Sequence, residues 1–172
     1  DIGGESTRPG AKKVPVNEEI KRVMPSIIDL KNNGLGIQVS LDTRNLSTMK
    51  LGFENGVDIF NDISGFTDHN KIKFISKLKL PIIVMHMQNK PHNMQNEPKY
   101  RFAPIDIYNI LSKRVNQLID FGIDKSNIVV DPGIGFGKNI DHNLEILRNI
   151  SLFQSLGVPI LIGVSRKSVV SE

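Results

Sequence analysis

The chain has 172 residues, a formal charge of +4 from 22 basic and 18 acidic residues, and no cysteine. Its 39% hydrophobic content is typical of one globular domain and excludes a disordered tail, and no apolar run approaches the roughly 20 residues that cross a bilayer. The lack of cysteine excludes disulfides, thiol nucleophiles, iron–sulfur clusters and cysteine-ligated zinc. Because the basic residues are scattered without interleaved aromatic residues, we expect no nucleic-acid partner.

Strand-like and helical patterns alternate along the chain. Short runs rich in Ile and Val predict strands buried on both faces of a parallel sheet, at residues 37–41, 57–63, 81–85, 127–130 and 159–164. Amphipathic stripes between them predict helices, the first with Asn17 as its N-cap, Pro25 inside it and Gly34 at its end. Residues 88–100 are polar and aperiodic, which predicts a long loop.

The strand–helix alternation fits either a doubly wound sheet or a (β/α)₈ barrel. No Rossmann fingerprint follows a strand, and the loop at residues 133–138 fails the Walker A pattern because Pro132 replaces its first glycine and Asn139 follows its lysine. Nearly every predicted strand runs into polar or glycine-rich residues, as expected where barrel strands converge on one active-site face. An intact barrel needs about 250 residues, so we expect an incomplete one.

Three polar side chains at strand ends are candidates for binding a flat heterocycle. Asp42 and Asp131 follow predicted strands and Asn61 lies near the end of one, and buried carboxylates require donors such as a ring N–H beside an exocyclic NH₂. A strand-end Asp also commonly caps the next helix, but Asn45 is better placed for that than Asp42. Lys167 follows the last predicted strand, where it could face a ring carbonyl or an anion.

Six motifs along the chain resemble the dihydropteroate synthase family. They are Asp-Ile-Gly-Gly-Glu-Ser-Thr-Arg-Pro-Gly at 1–10, Ser-Leu-Asp-Thr at 40–43, Asn-Asp-Ile-Ser-Gly at 61–65, Met-His-Met-Gln at 85–88, Asp-Pro-Gly-Ile-Gly-Phe-Gly-Lys at 131–138 and Ser-Arg-Lys-Ser at 165–168. They occur in the family's order and at plausible spacing. The family's residue at position 89 is usually glycine, and this chain has Asn89 there.

The resemblance implies a single partial pterin-binding domain over residues 1–172, an incomplete (β/α)₈ TIM barrel running from about the end of strand 2 through strand 7. It implies a transferase of folate biosynthesis, and hence a sulfonamide target. The reaction joins 7,8-dihydropterin-6-ylmethyl diphosphate to 4-aminobenzoate and yields 7,8-dihydropteroate and pyrophosphate. Pyrophosphate is expected to leave first, so that the aniline nitrogen attacks a pterin-methyl cation.

The resemblance also assigns roles to individual residues. The substrate-binding residues it implies are Thr7, Arg8, Pro9, Asp42, Asn61, Met85, Asp131, Phe136, Lys167 and Ser168. Of these, Asp42, Lys167 and Arg8 are the expected catalytic residues, and residues 7–9 belong to a mobile loop that closes over the substrates. Lys167 would contact the pterin and Ser168 the aminobenzoate carboxylate.

Several expected parts of the family pattern are missing from this sequence. Mg²⁺ is expected with the substrate diphosphate, but the metal-contacting Asn would precede Asp1, so no residue of this chain is assigned to the metal. The Arg-x-His pair and the dimerising helical region would follow Glu172, so we expect an inactive fragment of a cytoplasmic, homodimeric parent without membrane partners.

Two other functions compete with this interpretation. A methyltetrahydrofolate-type pterin-binding methyltransferase would share the ring-binding Asp and Asn but not the motifs at 6–10 and 165–168, and a non-catalytic barrel remnant would only fold or bind a partner. His86 is interpreted as a packed or hydrogen-bonded strand histidine rather than a metal ligand, because no second histidine has ligand spacing.

Overall fold

The computed structural model describes residues 1–8, 10–34, 36–89, 91, 94–95 and 97–165. Five strands form one sheet: β1 (Ile2–Gly3), β2 (Ser40–Asp42), β3 (Ile59–Asp62), β4 (Ile82–Met85) and β5 (Ile128–Asp131). The helices are α1 (Val16–Asn32), α2 (Leu46–Glu54), α3 (His69–Ile75), α4 (Ala103–Asp120), α5 (Ile140–Arg148) and α6 (Ile150–Gln154), with a short 3₁₀ helix at Lys125–Asn127.

All described strand pairs are parallel, and their order across the sheet is their order in the chain, β1-β2-β3-β4-β5. A doubly wound sheet reverses its strand order at a switch point, whereas a barrel does not. This order therefore confirms an α/β fold of the barrel type. The predicted strand at 159–164 is reduced to a single bridge between Ile160 and Val130 among the described residues.

The two faces of the sheet differ in burial. One face, here called the helix face, consists of residues that are no more than 1% exposed: Leu41, Phe60, Asp62, Ile82, Val84, Ile128 and Val130. Its apolar members pack with α1 to α6 in one hydrophobic core, which includes Ile27, Met49, Ile72 and Phe153. On the other face, Ser40, Asp42, Ile59, Asn61 and Val129 are only partly buried, whereas Ile83, Met85 and Asp131 are buried. The prediction that the strands are buried on both faces is thus met fully on the helix face only.

Local details correct some predicted boundaries. The N-cap of α1 is Pro15, whose carbonyl accepts from the N–H groups of Glu18 and Glu19, and Asn17 lies inside the helix. Pro25 is within α1 as predicted, and Gly34 follows its end with φ +62°. Ile37, predicted to begin a strand, is 48% exposed, since β2 starts only at Ser40. No helix in the described ranges is both long and apolar enough to span a membrane.

Candidate active site

Strand register places four of the predicted site residues on the same face of the sheet. Asp42 is paired with Asn61, Asn61 with Ile83, and Met85, two residues beyond Ile83, with Asp131. Paired residues of parallel strands point to the same side, as do residues two apart on one strand. Asp42, Asn61, Met85 and Asp131 therefore share the face opposite the helix face, here called the site face.

Asp42 ends β2 and is partly exposed on the site face. Burial, followed by the negative charges of Asp62 and Glu19, raises its pKa to about 7, against a weaker opposing effect of Arg44. Asn45 occupies the N-cap position of α2, as predicted, but its side chain does not cap the helix and instead donates to Glu19 Oε2 at 2.8 Å. Asp42 is therefore not engaged as the cap of this helix.

The buried Glu19 of α1 fixes the loop that follows Asp42. Its carboxylate accepts hydrogen bonds from Thr43 Oγ1 at 2.7 Å and Thr48 Oγ1 at 2.6 Å, in addition to the Asn45 amide. Glu19 is 1% exposed, so three donors offset the cost of removing its charge from water. This network holds the β2–α2 loop against α1 and thereby sets the position of the Asp42 backbone.

Asn61 and Asp62 lie on opposite faces at the end of β3. The Asn61 side chain donates to Asp1 Oδ2 at 3.2 Å and remains partly exposed. Asp62 is completely buried on the helix face and forms an ion pair with Lys71, which is also buried. Asp62 Oδ1 further accepts from the Ser64 N–H and hydroxyl at 2.8 and 2.6 Å. This buried pair organises the loop that follows Asn61.

Asp131 is 8% exposed at the end of β5. Its Oδ1 accepts from the Gly133 N–H at 2.7 Å, and its carbonyl accepts from the His86 N–H at 2.9 Å. As predicted, a glycine-rich loop follows before α5 begins, and the N-cap of α5 is Asn139 rather than Asp131. Phe136 lies in this loop, half-buried, with its N–H donating to the Gly133 carbonyl at 3.0 Å.

Lys138 does not project out of this loop as a phosphate-binding lysine would. It is 2% exposed, and its ammonium group donates to the carbonyls of Gly133 and Phe136, each at 2.8 Å. It also lies 3.1 Å from His86 Nδ1. This contact confirms His86 as a buried, hydrogen-bonded histidine, although it lies directly after β4 rather than within the strand.

The segment after β1 carries Thr7 and Arg8. Glu5 closes this segment, because its Oε1 accepts from the Val14 N–H at 3.0 Å while its Oε2 binds the Arg44 guanidinium. Thr7 is half-buried and Arg8 is exposed, and no hydrogen bond or ion pair of the Arg8 guanidinium is found among the described residues. Pro9, Lys167 and Ser168 lie outside the described residues.

A cleft of about 600 Å³ opens beside the predicted site rather than on it. Its lining comes from the loops after β1 to β4 and from Lys71 of α3; the loop residues are Glu5, Ser6, Ala11, Lys13, Arg44, Asn45, Ser64, Asp68 and Pro91. None of the site-face residues named above lines it. In the described part of the chain, no three His, Asp or Glu side chains are grouped so that they could hold a metal ion.

The residues that build these loops were not found by sequence reasoning. Lys71 lies in a short helix and Lys138 after a glycine-rich loop, where a lysine is ordinarily solvated. The pairing of Lys138 with His86 joins positions 52 apart, so no local pattern reports it. The available signal for the buried position of Lys138 was the glycine-rich run before it. A tightly bent backbone directs its carbonyl groups inward, and these groups need hydrogen-bond donors.

Known proteins of one family are similar to this chain along its length. The Pterin binding enzyme family matches residues 1–172. A Haemophilus influenzae protein named dihydropteroate synthase is 39% identical over 170 residues, covering 99% of this chain and 62% of that protein.

Solved structures of dihydropteroate synthases are also similar. The Yersinia pestis enzyme, in complex with a sulfonamide drug, matches with a TM-score of 0.93 and 36% identity, covering 98% of this chain and 61% of that one. The Xanthomonas albilineans enzyme with 4-aminobenzoic acid gives a TM-score of 0.91 and 34% identity, covering 99% and 60%. The chain thus spans about three fifths of each of these proteins, and it belongs to the pterin-binding enzyme family.

Proposed function

We propose that the protein containing this chain is a dihydropteroate synthase, a transferase of folate biosynthesis that condenses 7,8-dihydropterin-6-ylmethyl diphosphate with 4-aminobenzoate. The observation that carries the proposal is the common face shared by Asp42, Asn61 and Asp131, aligned by strand register. The similarity to proteins of that name along almost the whole chain supports it. A synthase of this kind is also the proposed sulfonamide target, given the drug complex of the Yersinia pestis relative.

In this proposal the two carboxylates and the amide recognise the pterin ring. Asp131, already fixed by the Gly133 N–H, accepts from adjacent ring N–H and NH₂ groups, and Asn61 both donates and accepts. Met85 and Phe136 supply apolar contacts to the ring or its rim. Such charge-assisted hydrogen bonds contribute roughly 1.5–3 kcal/mol each, which favours a 2-amino-4-oxo ring over heterocycles without paired donors.

The proposed reaction begins when the bond between the pterin methylene carbon and the diphosphate oxygen breaks, and its electron pair leaves with pyrophosphate. The aniline nitrogen of 4-aminobenzoate then forms the new bond to carbon and releases a proton to solvent. The ionised Asp42 carboxylate stabilises the intervening cation. The pKa of Asp42 is about 7 in the ligand-free chain, so its carboxyl group is only partly ionised at neutral pH. A cationic or donor-rich ligand favours the ionised form.

The segment with Thr7, Arg8 and Pro9 is proposed to close over the diphosphate and the second substrate, as a loop fixed at its base by Glu5. Arg8 would supply positive charge there, and Lys167 and Ser168 would contact the pterin and the aminobenzoate carboxylate. The proposal also includes Mg²⁺ bound with the substrate diphosphate, a homodimeric parent protein and a cytoplasmic location. Among the described residues no three His, Asp or Glu side chains are grouped as metal ligands, so the proposal assigns the metal to no residue of this chain.

The test is an assay of the full-length protein for 7,8-dihydropteroate, with Asp131→Ala and Asp42→Ala compared against Asp124→Ala. Asp124 precedes β5 and is exposed, so it lies at the opposite end of the strand from Asp131. We expect both site variants to lose at least about 100-fold in kcat/KM and the control to stay near the parent value. Methyl transfer from methyltetrahydrofolate without use of 4-aminobenzoate would contradict the proposal.

A further inference from the structure

The ammonium group of Lys138 is the centre about which the β5–α5 loop folds. It donates to the Gly133 and Phe136 carbonyls at 2.8 Å and lies 3.4 Å from the His86 carbonyl. These carbonyls come from two different segments, the loop after β5 and the end of β4. One buried cation therefore binds the two segments together.

The His86 ring supplies a further acceptor to this cation. Burial, followed by the charge of Lys138, lowers the pKa of His86 to about 3, so the ring is neutral at physiological pH. A neutral imidazole whose Nδ1 lies 3.1 Å from a lysine ammonium accepts a hydrogen bond at that nitrogen, which assigns the remaining ring proton to Nε2. The lysine and the histidine thus carry one positive charge between them.

The carbonyls bound by Lys138 belong to the residues that hold Asp131. The Gly133 N–H donates to the Asp131 carboxylate at 2.7 Å, while the Gly133 carbonyl accepts from Lys138. The His86 N–H donates to the Asp131 carbonyl at 2.9 Å, while the His86 carbonyl faces Lys138. We propose that Lys138 is a positioning residue for Asp131, because its ammonium group holds the carbonyls of Gly133 and His86, the two residues whose N–H groups bind the Asp131 carboxylate and backbone carbonyl.

The glycine at position 133 makes this arrangement sterically possible. Gly133 has φ +71°, and a Cβ there would collide with the His86 carbonyl. The loop and the end of β4 are therefore in backbone-to-backbone contact, with carbonyls of both directed at one point. Carbonyls gathered in this way repel one another and require a shared donor, which the ammonium group provides.

This inference rests on the proposed function and specifies that Lys138 supports binding of the pterin substrate. Asp131 is assigned to the pterin ring and not to 4-aminobenzoate. Loss of the lysine donors should therefore weaken pterin binding, with KM for 4-aminobenzoate changing much less. A lysine that merely stabilised the fold would affect both substrates in parallel.

The experiment is calorimetric titration of the full-length protein with 6-hydroxymethylpterin, comparing Lys138→Met with Lys138→Arg. The methionine keeps an unbranched apolar stem without donors, and the arginine keeps charge and donors. We expect binding to weaken at least about tenfold in the methionine variant and to be partly retained in the arginine variant. In an Asp131→Ala background, the same Lys138→Met change should have almost no further effect on affinity.

Equal effects of Lys138→Met with and without Asp131 would overturn the proposal. A second test is the rate of hydrogen exchange at the Gly133 amide in the ligand-free protein. Removal of the lysine donors should accelerate this exchange at least about tenfold. Unchanged exchange in folded Lys138→Met and Lys138→Arg proteins would also overturn the proposal. If the parent protein bound no pterin, the proposed function would fail, and the exchange data would still decide the positioning role.

Discussion

The two faces of the sheet differ in burial along β2 and β3, although their residues alternate along the same strands. Leu41 and Phe60 on the helix face are inaccessible to solvent, while their chain neighbours Asp42 and Asn61 on the site face are partly exposed. A step of one residue along the chain thus exchanges a core position for a candidate binding position. Stability and ligand recognition are therefore separable by substitutions at adjacent residues.

The largest expected effect is the loss of stability in the Phe60→Ala variant, compared with the Asn61→Ala variant at the adjacent residue. Phe60 is fully buried, so its truncation should lower the free energy of unfolding by about 3–5 kcal/mol. Asn61→Ala loses one exposed hydrogen bond and should cost less than about 1 kcal/mol while weakening pterin binding. Urea denaturation and calorimetric titration of the full-length protein measure the two quantities. Similar losses of stability in both variants would contradict the separation of faces.

Substitution of Asp62, the charged residue among those listed for the helix face, tests how much its buried ion pair contributes to stability. Asp62→Asn removes the carboxylate that is paired with Lys71 and should lower the free energy of unfolding by about 2–4 kcal/mol, because a buried cation loses its partner. Adding Lys71→Met should recover part of that loss. The measurement is a double-mutant cycle in urea, and strictly additive effects would show that the pair is not coupled.

The smallest effect concerns Asp42 and depends on pH. Because its folded pKa, about 7, lies above the ordinary 3.8, the folded state binds more protons between these values, and the stability contributed by Asp42 falls as pH rises through this range. Asp42→Asn should therefore make the ligand-free protein more stable by about 1–2 kcal/mol at pH 8, a value reduced by solvent screening. The difference should shrink toward pH 4.

Thermal or urea unfolding at both pH values measures this difference. Val129→Ala, at a half-buried position of the site face with an apolar side chain, is the control and should show a shift in stability that does not vary with pH. A stabilisation by Asp42→Asn that was the same at pH 4 and pH 8 would refute the raised pKa as its cause.

Sequence reasoning located β2 to β5 and the ends at which polar residues follow, because short runs rich in Ile and Val and the polar residues at strand ends are local signals. It overextended β2 toward Ile37 and took Asn17 for a cap, since boundaries depend on packing that the pattern does not contain. The placement of Asp42 and Asn61 on a common face follows from the strand register, which was not predicted from the sequence. The buried partners Glu19, Lys71 and Lys138 are set by contacts between distant segments.

The strand order described above has a consequence for synthesis on the ribosome. From β2 to β5, each strand pairs with the strand translated just before it, so the template for each addition is complete when the new strand emerges. Chains grow from the N-terminus at about 5–20 residues per second, which is slow compared with the formation of local structure. The sheet can therefore be extended one unit at a time during translation, with the edge of the latest strand as its growing end.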